Sequence, residues 1–244
     1  MRYVGSKNKI SKELAPIIQK YIDDNQVSCY VEPFVGGANM IDKIKCNNKI
    51  GIDSHKQLVS LLCKAQTDFV FPEKILEDEY NEVKNNKENF EDWYVGLVGF
   101  CASFGAKYFG GYARNSKADN SGKWSAGAIR NLEKQRKNLK DVQFLWYNFQ
   151  DVHEDYFKGC VIYCDPPYRN TTKYATENFP YEEFWNWCRR ASKNNIVLIS
   201  EYDAPSDFEC IWSKEVNTLL DSNKISEDKS NKRTEKLFRI KGDN

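Results

Sequence analysis

The stretch Cys160-Val161-Ile162-Tyr163-Cys164-Asp165-Pro166-Pro167-Tyr168 decides how this chain is to be read. Five apolar residues in a row are the length of a strand buried on both faces. The two prolines fix an extended, rigid path and withhold their N–H groups, so the strand ends at once. The Asp165 carboxylate and the Pro166 carbonyl then become fixed acceptors at a strand's carboxyl end, where open α/β sheets bind ligands. Tyr168 adds a flat aromatic face beside them. At average residue usage, the tetrapeptide 165–168 arises by chance in about one chain of this length in a thousand.

Working outward, similar short runs recur at Cys29–Glu32, Lys49–Asp53, Val142–Tyr147, Ile196–Ser200, Glu209–Trp212 and Lys236–Ile240. Helical spacing follows several of them: Leu58, Leu61 and Leu62 after Asp53, and Phe184, Trp185 and Cys188 after Tyr181. An earlier helical pattern (Ile10, Leu14, Ile17, Ile18, Tyr21) holds Pro16, which predicts a late start or a kink. Strands alternating with helices predict a three-layer α/β fold around a seven-stranded, mostly parallel sheet closed by 236–240. The alternation breaks between residues 69 and 141. There the chain becomes a charged helix (73–88), an aromatic and glycine-rich run (100–112) and a basic run (117–140). The stretch reads as an insertion or a small second domain between the second and third strands, dividing the chain into residues 1–68 with 142–244 and a helical segment at 69–141. Residues 221–231 read as a mobile polar loop.

Net charge is +1 over 244 residues, which selects no partner, but its distribution is uneven. Residues 105–140 hold nine Lys or Arg against Asp119 and Glu133, and residues 73–92 hold eight acids against three lysines. A basic segment suits a phosphate-contacting surface, although charge alone favours the plainer reading of both segments as solvated helix faces. The eight cysteines form no C-x-x-C pair, and Cys29, Cys101, Cys160, Cys164 and Cys188 lie in apolar stretches. Reduced, mostly buried thiols are expected rather than disulfides or a zinc site. His55 and His153, the two histidines, read as surface residues. No apolar run spans a bilayer and no secretory signal opens the chain, so a cytoplasmic protein is expected.

Glu32-Pro33-Phe34-Val35-Gly36-Gly37 follows the strand 29–32, and Asp53 ends the next one. Glycines past a first strand, followed by an acid at the end of the second, suit a nucleoside whose ribose hydroxyls the acid accepts. At Asp165–Tyr168, two acceptors can hold the hydrogens of an exocyclic amine and favour the pyramidal geometry that frees its lone pair for attack on a methyl sulfonium. The tyrosine can stack on a base that has left the helix.

These residues resemble the Dam-type DNA adenine methyltransferases. Arg2–Lys7 is similar to the family's K-W-x-G-G-K motif, 32–37 to E-P-F-x-G, and Asp165–Tyr168 to D-P-P-Y. Val197–Asp203 is similar to V-L-I-S-N-x-D and Lys232–Leu237 to the closing R-x-x-x-E-L-L strand. The resemblance implies a Rossmann-like methyltransferase fold and S-adenosylmethionine held by Tyr3, Lys7, Glu32, Pro33, Phe34, Gly36, Gly37, Asp53, Asn148, Phe149 and Asp165. It implies a catalytic domain of residues 1–68 and 142–244 with a target-recognition insertion at 69–141. It implies catalysis at Asp165, Pro166, Pro167 and Tyr168, and methyl transfer to N6 of a flipped adenine in double-stranded DNA. No metal or membrane partner is expected, and a monomer or weak dimer encoded by a bacterium or phage is. Ala38 replaces a common glycine, Glu201 stands where asparagine is usual, and Asn148 stands where some relatives carry an acid. The recognition run N-G-L-x-R-x-N is missing, so the methylated sequence does not carry over.

Within the insertion, Lys107, Arg114, Arg130, Lys134 and Lys137 are candidate contacts to phosphates or guanine edges, and Tyr108 and Tyr112 candidate wedges between bases. The two tyrosines fit a small hydrophobic core under a loop equally well. Rival readings are a ribosomal RNA adenine enzyme, an N4-cytosine enzyme, which more often carries S-P-P-Y, and a silent DNA-binding relative.

Overall fold

The computed structural model describes residues 1–116, 119–168, 179–217 and 232–242. The expected polar loop at 221–231 lies outside them. Two compact units divide the chain, Met1–Val152 and His153–Asn244.

The first unit opens with helix α1 (Ser11–Asp24). Leu14, Ile18 and Ile22, one turn apart, give it a buried stripe. The late start expected from Pro16 is not seen, because the helix already runs from Ser11 and holds the exposed Pro16 within it. Strands β1 (Cys29–Glu32), β2 (Asn48–Asp53) and β3 (Val142–Trp146) pair in parallel in the order β3-β2-β1. Their Glu32, Asp53 and Trp146 ends therefore lie at one edge.

Helix α2 (Lys56–Ala65) follows β2 and buries Leu58, Leu61 and Leu62 completely. Helices α3 (Glu77–Asn85), α4 (Asp92–Cys101) and α5 (Lys123–Arg136) come from the stretch expected to be helical. Residues 95–101 of α4 are all buried. Gly96 allows this, because a Cβ there would lie 2.2 Å from the Gln57 carbonyl oxygen on α2.

The second unit holds β4 (Val161–Cys164), α6 (Tyr181–Ala191), β5 (Ile196–Glu201), β6 (Phe208–Asn217) and β7 (Lys232–Ile240). Phe184 and Cys188 are fully buried on α6. Glu182 and Glu183 in its first turn and Arg189 and Arg190 in its last complement the helix dipole. β4 and β5 pair in parallel, whereas β7 runs antiparallel between β5 and β6. The described residues thus form a mixed α/β fold with seven strands, and the mostly parallel character expected holds for β1–β2, β2–β3 and β4–β5 but not for the β7 pairings with β5 and β6. The last two strands are also longer than their apolar cores at 209–212 and 236–240, because their outer halves carry exposed polar residues such as Lys214 and Glu215.

Cys101, Cys160, Cys164 and Cys188 are buried thiols and Cys29 is half-buried, while Cys63 and Cys210 are exposed. Among the described residues no helix is long and apolar enough to cross a membrane.

Candidate active site

In the first unit, the ends of β1, β2 and β3 gather most of the residues read as nucleoside-binding. Asp53 Oδ2 accepts from the Gly36 N–H at 3.0 Å, and Oδ1 accepts from the His55 N–H at 2.9 Å. The Val35 N–H donates to the Ile52 carbonyl at 2.8 Å, so the glycine loop is fastened to the end of β2. Burial pushes the Asp53 carboxyl above its usual range, against the backbone N–H groups of His55, Gly36 and Ser54 that lower it. A carboxylate offers about four lone-pair sites, so these three backbone donors still leave acceptor capacity for a ligand.

Gly36 has φ +48°, and a Cβ there would lie 2.9 Å from Tyr3 Cε1; one at Gly37 would lie 2.7 Å from Tyr3 Cβ. The glycine pair therefore makes room for Tyr3, whose ring centroid lies 5.6 Å from that of Phe100. Ala38 also adopts a left-handed conformation, φ +55°, without glycine's freedom. Lys7 is buried, its Nζ donating to the Gly5 carbonyl at 3.3 Å. Glu32 is buried, its Oε1 accepting from the Tyr30 hydroxyl at 2.7 Å, and Pro33 is buried after it. Phe34 and Phe149 pair at 5.4 Å between centroids. Asn148 is exposed, and its Oδ1 caps the turn 149–151 by accepting from the Gln150 N–H.

In the second unit, Asp165 is half-buried, Pro166 buried, Pro167 exposed and Tyr168 buried. The Tyr168 hydroxyl donates to Glu235 Oε2 at 3.0 Å, and its ring meets Tyr202 edge-on, 4.6 Å between centroids. The Pro167 carbonyl accepts from the Tyr181 hydroxyl at 2.7 Å. Behind the turn, the Tyr163 and Ser200 hydroxyls share a hydrogen bond of 2.8 Å. Burial first, then the charges of Asp165 and Glu235, push the Tyr168 phenol far above its ordinary range, so it stays a protonated donor. Glu201 is buried, its Oε2 accepting from the Tyr202 N–H at 2.6 Å.

The residues read as DNA contacts separate into two sets. Lys107, Arg130, Lys134 and Lys137 are exposed, the last three a turn apart along α5 and its C-cap. Tyr108 packs among His55, Phe100 and Phe109, and the Tyr112 hydroxyl donates to the Ile75 carbonyl at 3.0 Å. Arg114 Nη1 pairs with Glu77 Oε2 at 2.6 Å.

His55 corrects the sequence reading, because it is not a plain surface residue. It is half-buried, and its Nδ1 accepts from the Leu58 N–H as the N-cap of α2. Its place two residues after Asp53, just before an apolar helical pattern, was the available signal. His153 is exposed and caps the short turn 154–156. Tyr30, Gln135 and Ser200 carried no signal at all.

Known proteins place the chain. Residues 3–97 and 91–232 match the D12 class N6 adenine-specific DNA methyltransferase family. The chain is similar to the type II methyltransferase M.FokI of Planomicrobium okeanokoites, 23% identical over 210 residues, covering 76% of this chain and 31% of that protein. It is also similar to the type II methyltransferase M.MjaIII of Methanocaldococcus jannaschii, 23% identical over 202 residues, covering 71% and 70%. It thus spans about a third of the first relative's length. The matched residues include the glycine loop, Asp53, the turn 165–168 and Lys232 at the start of β7. By this match, the chain belongs to the D12 class of N6 adenine-specific DNA methyltransferases.

Proposed function

We propose that the chain transfers a methyl group from S-adenosylmethionine to N6 of an adenine flipped out of double-stranded DNA, in a Rossmann-like methyltransferase fold. Residues 1–68 and 142–244 carry the chemistry, and residues 69–141 carry target recognition. The observation behind this reading is the D-P-P-Y turn at the end of β4, with the Tyr168 ring held by Glu235 and Tyr202.

The cofactor supplies an electrophilic methyl group. Asp53 accepts from its ribose hydroxyls through the acceptor capacity that Gly36, His55 and Ser54 leave unused. Phe34 and Phe149 offer aromatic faces for its purine, and Asn148 an amide at its edge. Asp165 and the Pro166 carbonyl accept the two hydrogens of the adenine amine and turn its lone pair toward the methyl. Tyr168 stacks on the base, which must leave the duplex to be reached. The methylated nitrogen is strongly acidic, so its proton passes to water without a histidine base. Arg130, Lys134, Lys137 and Lys107 meet phosphates.

The chain acts as a monomer or weak dimer in a bacterial cytoplasm, in the restriction-modification setting that the relatives' type II names suggest. Expression in a methylation-free host, followed by modified-base sequencing, tests the reading. N6-methyladenine in a fixed sequence context is expected, and it should fall by several orders of magnitude in Asp165→Ala. Unmodified DNA from a folded, cofactor-binding chain rejects it.

A further inference from the structure

Gln135 is a buried amide on α5, one position after the exposed Lys134. Its Nε2 donates to the Ala38 carbonyl at 2.7 Å, with the Gly37 carbonyl at 3.2 Å and Asp42 Oδ2 at 3.0 Å also within reach. Two hydrogens face three acceptors, so one hydrogen is shared. Its Oε1 accepts from the Met1 nitrogen. Asn39 holds the same residue, donating to the Met1 carbonyl at 2.9 Å. The segment carrying Tyr3 is thereby pinned over the glycine loop by one side chain of the loop and one of α5. From the loop the path continues through the Gly36 N–H to Asp53 Oδ2.

We propose that Gln135 is a positioning residue through which α5 sets the conformation of the glycine loop, so that duplex bound on α5 alters the affinity for the nucleoside cofactor. This rests on the function proposed above. The outer face of α5 carries Arg130, Lys134 and Lys137, and its inner face carries the donor that the loop carbonyls need. A shift or stiffening of the helix under phosphate contacts moves that donor. The loop must follow or lose its hydrogen bonds, because buried carbonyls without a donor are costly. Linkage makes the effect reciprocal, with cofactor altering duplex affinity by the same factor.

The test is calorimetric titration of S-adenosylhomocysteine into the unaltered chain, alone and saturated with a random-sequence duplex pool. The same pair of titrations follows for Gln135→Met, which keeps length and removes the donors. The unaltered chain is expected to show a ratio of affinities of about five-fold or more. In Gln135→Met the ratio should fall to about one while duplex still binds, a change that a purely stabilising residue does not produce. An unchanged ratio in the variant overturns the proposal, and so does a ratio of one in the unaltered chain. Amide exchange at residues 36–39 of the unaltered chain needs no folded variant. Duplex should change it, and identical protection with and without duplex overturns the proposal. Absence of S-adenosylhomocysteine binding by the unaltered chain overturns the cofactor reading instead.

Discussion

The Tyr168 hydroxyl donates to Glu235 Oε2 at 3.0 Å, so the aromatic ring of the turn after β4 is aimed from the antiparallel strand β7. Loss of that bond should slow methyl transfer without weakening the cofactor. Glu235→Ala is expected to lower the single-turnover rate about ten-fold, the scale of one hydrogen bond to a charged group. Tyr168→Phe added to Glu235→Ala should cost no more than Tyr168→Phe alone, because both remove one contact. Additive losses in this double-mutant cycle speak against the pairing.

His55 gives the first unit a pH dependence. Burial holds its imidazole below the ordinary value of 6.5, and its Nδ1 must stay unprotonated to accept from the Leu58 N–H. The folded form prefers the neutral ring, so the contribution is fully present above about pH 6.5 and is lost as pH falls through the lower folded value. Thermal unfolding between about pH 8 and pH 5 should show this loss. His55→Asn keeps a cap that does not titrate and should flatten the profile. Identical profiles would remove His55 as the cause.

The exposed cations of α5 should act on every duplex alike. Lys134→Ala or Lys137→Ala is expected to lower the slope of log affinity against log salt by about one each, with sequence preference unchanged. Arg114→Ala should change that slope less, since Glu77 already compensates the guanidinium. Filter binding across a salt series decides; equal slopes for Arg114 and Lys134 variants would place Arg114 on the phosphates too.

At the end of α1, the Gln26 N–H donates to the Asp23 carbonyl and the Val27 N–H to the Ile22 carbonyl, while Gln26 sits at φ +53°. This is the left-handed cap position that favours glycine. Gln26 is exposed, so its side chain contributes little packing. Gln26→Gly should therefore stabilise the fold by about 0.5–1 kcal/mol. Urea unfolding measures it, and a destabilised variant would mean that strain at this cap is negligible.

The strands around the site were legible because they are short apolar runs ending in an acid. Cys29–Glu32 has the bounds read from sequence, and Lys49–Asp53 gained one residue. The β6–β7 pair was only half legible, since apolar content marks the part of a hairpin that touches a core and not the part in water. Alternation gives no sign of direction either, so the antiparallel turn of β7 was invisible. At the site, the glycines were read as room for a ligand, whereas their immediate neighbour is Tyr3. That contact joins residues more than thirty positions apart, and no local pattern encodes it. Gln135 was silent for the same reason: a lone glutamine among basic residues looks solvated until the helix is packed.

The missing side chain at Gly96 bears on how the stretch 69–141 can be exchanged between relatives. Helix α4 lies within the stretch 69–141, yet its backbone nests against the Gln57 carbonyl of α2, which lies outside it, with no space for even a methyl group. A chimaera joined at residue 69 would set a foreign α4 against the native α2, and any residue but glycine at that crossing would push the helices apart. Working hybrids must therefore inherit the two helices as a matched pair, with the upstream junction before residue 56.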